Sequence, residues 1–234
     1  MDRKLNIRSF LDHLTHRSCL LCGETAGART LCHGCRDSLP WHEVPQCPRC
    51  ATPTPEGAVC GACLKDSPAF DRTVAALTYA FPLDRMIPRL KYHGALAVAP
   101  LLGECLTEAC RTQPRPDRLL AMPLHAGRIR ERGFNHATEI AREVAKRLDL
   151  PLDRGSCRRI RDTPPQMGLR HDARRRNLRG AFACSSDLCG MHIAVIDDVM
   201  TTGTSLDELA ATLKQAGARE VSCWVAARTL PYRG

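Results

Sequence analysis

From Arg72 onward the apolar positions fall into two alternating patterns. Short apolar or β-branched runs at Thr73–Ala80, Arg118–Leu124, Pro151–Ile160, Ile193–Ile196 and Val221–Ala227 predict strands, with a shorter extended piece at Leu178–Cys184. Between them, Leu83–Tyr92, Leu96–Arg111, Asn135–Leu148 and Leu206–Ala216 carry apolar residues at helical spacing, with a break near Gly94. Ile140, Val144 and Leu148 share one helical face and charged residues take the other, the arrangement of a helix lying on a core. Ile193–Ile196 is apolar at every position, as expected of a strand covered on both faces. Alternating strands and helices predict an α/β fold: a parallel sheet with flanking helices and a ligand site at the carboxyl ends of the strands. This core is expected over 72–234, after a linker at 66–71 that contains Pro68. At the other end, residues 1–17 predict a short amphipathic packing helix through Leu5, Ile7, Phe10, Leu11 and Leu14.

Residues 18–65 follow neither pattern. Cys19, Cys22, Cys32 and Cys35 recur as Cys47, Cys50, Cys60 and Cys63, each 28 residues after its counterpart (19 to 47, 22 to 50, 32 to 60, 35 to 63). A repeat of four-cysteine units predicts a double zinc ribbon, because two residues between cysteines let both sulfurs face one metal and four thiolates complete a tetrahedron. Such closed sites are structural, since no position remains for water. Large apolar residues are few here, so metal binding supplies the missing stability. Pairing within each unit is the simplest arrangement, and spacing alone leaves a crossed pairing open. His33 and His42 lie near these sites without being needed as ligands, and Trp41 sits between the units.

The chemistry concentrates at Ile193–Ser205. After the strand come two carboxylates, Asp197 and Asp198, then Thr201-Thr202-Gly203-Thr204-Ser205, then the helix. A helix start offers free N–H groups and a partial positive charge to a phosphate, Gly203 allows close backbone approach, and the hydroxyls add donors. Adjacent carboxylates repel phosphate but accept hydrogen bonds from the vicinal hydroxyls of a sugar. Ribose 5-phosphate fits both halves. Two further segments leave strand ends. Pro123–Asn135 holds three arginines, a histidine and two glycines, and reads as a loop that cradles pyrophosphate. Arg161–Asn177 reads as a long basic lid.

Composition adds bounds rather than direction. Apolar content of 44% and charged content of 25% are those of an ordinary soluble protein. No apolar run approaches a membrane span and no secretory signal is apparent, so a cytoplasmic location is expected. There the 14 cysteines are not expected to form disulfides. A net charge of +9 suits an anionic ligand, whether a sugar phosphate or nucleic acid.

The strand, acid pair and Thr-Thr-Gly loop resemble the phosphoribosyl pyrophosphate (PRPP) motif of type I phosphoribosyltransferases. Other segments resemble the ComF/GntX family. These are the cysteine repeat, Leu90-Lys91-Tyr92-His93-Gly94, Pro123-Leu124-His125 with Arg132-Gly133-Phe134-Asn135, Thr163-Pro164-Pro165-Gln166, and Arg175–Phe182. The match is collinear from about residue 18 to 228, with Thr204 standing where many relatives have Gly or Ala. The resemblance implies a phosphoribosyltransferase-like domain behind a zinc module, linked in some bacteria to competence and uptake of single-stranded DNA. It implies that Thr201, Thr202, Gly203, Thr204 and Ser205 anchor the 5-phosphate and that Asp197 and Asp198 hold the ribose hydroxyls. By position, Arg128, Arg132 and Lys91 would meet pyrophosphate, with Mg2+ bridging it to the ribose. Phosphoribosyl transfer or hydrolysis is the activity so implied, with the acceptor open and no general base apparent. The alternative is a non-catalytic protein that handles single-stranded DNA, or an adaptor for a DNA-uptake helicase, with a sensory or vestigial PRPP site.

Overall fold

A computed structural model describes residues 17–162, 178–185 and 187–230. The helix expected near the N-terminus and the Thr163–Asn177 lid lie outside the described residues. The chain divides into two compact units between Leu39 and Pro40. The first contains the first four-cysteine unit and a short helix, α1 (His33–Asp37). The second contains the other four-cysteine unit, helix α2 (Gly61–Lys65) and the α/β core.

The core is a five-stranded sheet in the order β1-β7-β6-β2-β3, every neighbouring pair parallel. The strands are β1 (Arg72–Thr78), β2 (Arg118–Ala121), β3 (Leu152–Asp153), β6 (His192–Met200) and β7 (Glu220–Arg228). A separate antiparallel pair joins β4 (Cys157–Arg159) to β5 (Phe182–Cys184). The major helices are α3 (Leu83–His93), α4 (Val98–Cys110), α6 (His136–Leu148) and α7 (Thr204–Gln215). Helices α4 and α6 pack together and onto the sheet, and α7 packs on β7 and β5. Central strand β6 is covered as its all-apolar run requires: Ala194, Val195 and Ile196 are fully buried.

Three elements differ from the pattern-based expectation. The strand beginning at Ile193 continues through the acid pair to Met200, because Asp197, Val199 and Met200 pair with Val225, Ala227 and Arg228. The single strand expected at Pro151–Ile160 is two. Asp153 Oδ1 accepts from the N–H groups of Gly155 and Ser156, each at 3.0 Å, and this turn sends the chain from the main sheet into the β4–β5 pair. Pro123–Asn135 is not a loop but contains a helix, α5 (Ala126–Arg132). His125 caps it by accepting from Gly127 N–H, and Gly133, at φ +81°, ends it. The polar and glycine residues that read as loop marks are its caps.

An exposed edge is closed locally. Residues 40–42 lie antiparallel on the free side of β1, with Trp41 bridged to Leu77 and backbone bonds from Thr78 N–H to Pro40 and from His42 N–H to Ala76. His42 is buried, bonded to the Ala51 carbonyl at 2.8 Å and to Thr78 Oγ1 at 3.1 Å. It ties the second cysteine unit to the sheet.

Close packing of α4 on α6 depends on Gly103. A β-carbon there would lie 2.5 Å from Glu143 Cβ and 3.3 Å from the Ile140 carbonyl oxygen. Gly103→Ala should therefore destabilise the fold by about 1–2 kcal/mol despite alanine's better helix propensity. The measurement is urea unfolding: the midpoint should fall while the slope stays constant.

Candidate functional site

The site forms where β6 meets the ends of its neighbours. Asp198 is 2% exposed, so its charge requires partners. Lys91, from the last turn of α3, places Nζ 2.6 Å from Asp198 Oδ2. The contact is an ion pair without hydrogen-bond alignment, since Oδ2 receives no aligned donor. His136, the first residue of α6, places Nε2 3.6 Å from Oδ1. Burial alone would push Asp198 up, but Lys91 and His136 overcome it and hold the carboxyl well below the usual carboxylate range. On Asp197 the balance reverses. Burial first, and the neighbouring Asp198 second, push it up to about 7, while His136 and Lys91 act downward without prevailing. Its Oδ1 accepts from the Asp198 N–H at 2.9 Å. Lys91 is raised: its burial works downward and the two aspartates more than offset it.

The segment around Asn135 builds one wall. Asn135 Oδ1 caps α6 through Ala137 N–H, and its Nδ2 donates to the Met122 carbonyl at 3.0 Å just beyond β2. That double tie puts His136 at the acid pair. Arg132 lies over the Tyr92 ring, 4.9 Å from its centre, with Nη1 3.5 Å from His136 Nδ1. So Lys91 lies against the acid pair, and Arg132 lies beside it through His136. Arg128 stands apart with other partners: Nη1 is 2.9 Å from Glu131 and Nε 3.8 Å from Asp162, which His125 also faces at 3.8 Å. Sequence reading gave no role to His136, which adjoins a segment it singled out, or to Tyr92, which lies inside one.

Beyond Met200 the chain turns through Thr201–Ser205 into α7. The left-handed backbone favours glycine at Gly203, where φ is +80°. A side chain there would also have to displace the flexible end of Met200, since a β-carbon would lie 2.6 Å from Met200 Cε. Thr202 and Thr204 join hydroxyl to hydroxyl at 2.8 Å. Arg228, at the end of β7, braces this turn through the Met200 and Thr201 carbonyls.

Metal-binding capacity follows the cysteines. The sulfurs of Cys19, Cys22, Cys32 and Cys35 lie within 4.8 Å of one another, and those of Cys47, Cys50, Cys60 and Cys63 do likewise, which selects pairing within each unit over crossed pairing. The two units repeat in detail. Gly23 N–H and Ala51 N–H each bond back to the first cysteine's carbonyl at 2.9 Å, and Cys32 and Cys60 each begin a helix. Crowded thiols resist joint ionisation: Cys35 is pushed up to about 12, chiefly by its hydrogen bond with Cys22. A tetrahedral dication would hold all four as thiolates, and these donor sets fit structural zinc. His136, Asp197 and Asp198 form a third group within the same reach. Carboxylate oxygens suit Mg2+, so the chemistry of the acid pair fits an oxygen-ligated cation, with Asp198 Oδ2 already facing Lys91 Nζ at 2.6 Å.

Among the described residues, no helix is long and apolar enough to cross a membrane. The parallel sheet and flanking helices, with an acid pair and hydroxyl turn at the strand end, define a phosphoribosyltransferase-type domain, here preceded by cysteine ribbons. The family descriptions agree: a double zinc ribbon domain matches residues 10–64 and a phosphoribosyl transferase domain matches residues 131–232. DNA utilization protein YhgH of Salmonella typhi is 34% identical over 194 residues, spanning 80% of this chain and 86% of the relative. Competence protein F of Haemophilus influenzae is 31% identical over 208 residues, spanning 85% and 90%. Competence protein ComFC of Bacillus subtilis is 27% identical over 199 residues, spanning 80% and 79%. The chain belongs to this ComF-type family of competence and DNA utilization proteins. Among solved structures, the purine phosphoribosyltransferase from Pyrococcus horikoshii is 18% identical, with a TM-score of 0.34 over 64% of this chain and 74% of its own.

The acid pair makes a signed prediction. Asp197 has a folded value near 7, above its ordinary 3.8, so the folded chain holds that proton more tightly than the unfolded chain. Its contribution to stability therefore falls as pH rises from about 3.8 and levels off above about 7. Asp197→Asn removes the effect. Thermal melts in magnesium-free buffer should show the variant's advantage over wild type growing from pH 5 to pH 8.

Proposed function

We propose that this chain binds PRPP with Mg2+ and acts on its anomeric carbon by transfer or hydrolysis. The observation that carries the reading is the continuity of β6 with the turn before α7. One strand end offers two carboxylates, and the residues that follow offer a glycine turn, hydroxyls and the start of a 12-residue helix. In this reading Thr201–Ser205 hold the 5-phosphate by N–H groups and hydroxyls. Asp197 and Asp198 accept from the 2- and 3-hydroxyls. Lys91 keeps Asp198 ionised, so that one member of the pair is always an acceptor. Arg132, stacked on Tyr92, faces departing pyrophosphate from one side, and Arg128 reaches toward it only by leaving Asp162. Mg2+, when bound with the substrate, neutralises pyrophosphate and so lowers the barrier to its departure. The acid pair then stabilises the positive charge that develops on the ribose ring.

Calorimetry with PRPP and Mg2+ tests this. Replacing both Asp197 and Asp198 by Asn should weaken binding at least about 100-fold, the scale of two lost charge-assisted bonds. Unchanged affinity would sink the assignment. Pyrophosphate release, screened against nucleobases, ammonia, glutamine and DNA, identifies the acceptor.

The relatives' names and the net charge of +9 favour a second reading, in which the chain also binds single-stranded DNA or serves a DNA-uptake helicase. A gel shift across a salt series should show affinity falling steeply with salt. Binding that is absent at moderate salt would remove DNA as a direct ligand.

A further inference from the structure

One buried arginine joins the second cysteine cluster to the turn before α7. Arg228 is 6% exposed and makes five hydrogen bonds from its guanidinium. Nε donates to the carbonyl of Cys50 at 2.8 Å, and Nη2 donates to Thr52 Oγ1 at 2.9 Å. Thr52 Oγ1 is also the partner of the Cys50 thiol at 3.3 Å. On the other side Nη1 donates to the carbonyls of Met200 at 3.0 Å, Thr201 and Thr229. The same guanidinium thus holds a cysteine of the metal cluster and the entry to the hydroxyl turn. A cavity of about 580 Å³ lies between them, lined by Thr52, Cys60 and Lys65 on one side and by Thr202, Gly203 and Thr204 on the other.

We propose that Arg228 is a positioning residue that makes the geometry of the Thr201–Ser205 turn depend on the state of the Cys47/Cys50/Cys60/Cys63 centre. Zinc, when bound, fixes the sulfur of Cys50 and with it the carbonyl and Thr52 hydroxyl that orient the guanidinium. Arg228 in turn holds the Met200 and Thr201 carbonyls, which aims the following N–H groups away from the sheet toward a ligand. Lysine cannot substitute, because a single ammonium does not span both sides with a rigid fork. The consequence is linkage: loss of metal from this centre, by oxidation or chelation of its thiols, loosens the ligand turn without touching the acid pair. This rests on reading Thr201–Ser205 as the phosphate-binding turn.

The test is hydrogen exchange of backbone amides 201–206 in the full chain, referenced to the amides of β2, with zinc content measured on the same samples. Arg228→Lys should keep wild-type zinc while exchange at 201–206 rises about tenfold relative to β2, the effect of losing charge-assisted bonds to the turn. Cys60→Ser should lose one zinc per chain and speed the same amides. The double variant should exchange no faster than the faster single variant, since both act through one strut. Wild-type exchange in Arg228→Lys, or single effects that multiply in the double variant, would overturn the proposal. If Arg228→Lys does not fold, Thr52→Val removes the Nη2 acceptor together with the hydroxyl partner of Cys50, and with zinc content unchanged it should give the same selective change in smaller measure; no change overturns the proposal equally. PRPP–Mg2+ titration of the same proteins separates the two readings. Wild type that binds no PRPP but shows the exchange pattern sinks the ligand assignment and keeps the coupling. Wild type that binds PRPP as tightly as Arg228→Lys, with equal exchange, sinks the coupling and keeps the ligand.

Discussion

A carboxylate cannot lie at the centre of a doubly covered parallel sheet without a countercharge, and the architecture around Asp198 answers that demand. Lys91 comes from the end of α3 and His136 from the start of α6. Both are delivered by helix termini that the chain fixes by other means: Gly94 closes α3 in a left-handed conformation, and Asn135 both caps α6 and grips the backbone beyond β2. On neighbouring Asp197, burial and the like charge of Asp198 outweigh the downward pull of His136 and Lys91. The two carboxylates are chemically adjacent but electrostatically unlike, one firmly ionised and one poised near neutrality. That asymmetry is useful wherever a site must accept from a diol and then tolerate a changing positive charge beside it.

The second cysteine unit is part of the core's construction. Its flanking segment supplies the antiparallel edge of β1, His42 pins it, and Arg228 ties it to the end of β6. A ribbon of this size has too little apolar surface to hold itself, and its bonds to the sheet supplement what a metal provides. The same construction places the acid pair and the Thr201–Ser205 turn at one end of β6 and α7 beyond them.

Much of this was legible in the chain. The fully apolar run of β6, the helical faces of α6 and α7 and the 28-residue cysteine offset each reflect a constraint that acts locally or periodically. Each difference has its own physical cause. Strand β6 was cut short at Asp197 because carboxylates are rare in buried strands, and only Lys91 and His136, distant in sequence, make them acceptable. Helix α5 was read as loop because its caps are the same residue types that punctuate turns. The strand at Pro151–Ile160 was read as continuous although Asp153 and Gly155 carry the turn signal that divides it.

The sequence by itself determined the class of fold, the sulfur sets and the hydroxyl-rich make-up of the Thr201–Ser205 turn, because periodicity, spacing and side-chain chemistry are properties of short stretches. Tertiary structure alone decided which cations meet the acid pair, that Arg132 packs on Tyr92 beside His136 while Arg128 is engaged by Glu131 and Asp162, and that Arg228 joins a cysteine centre to the turn. Those choices depend on helix ends and strand ends brought together from distant parts of the chain, as Lys91 and Asp198 are, and no local pattern encodes such a meeting.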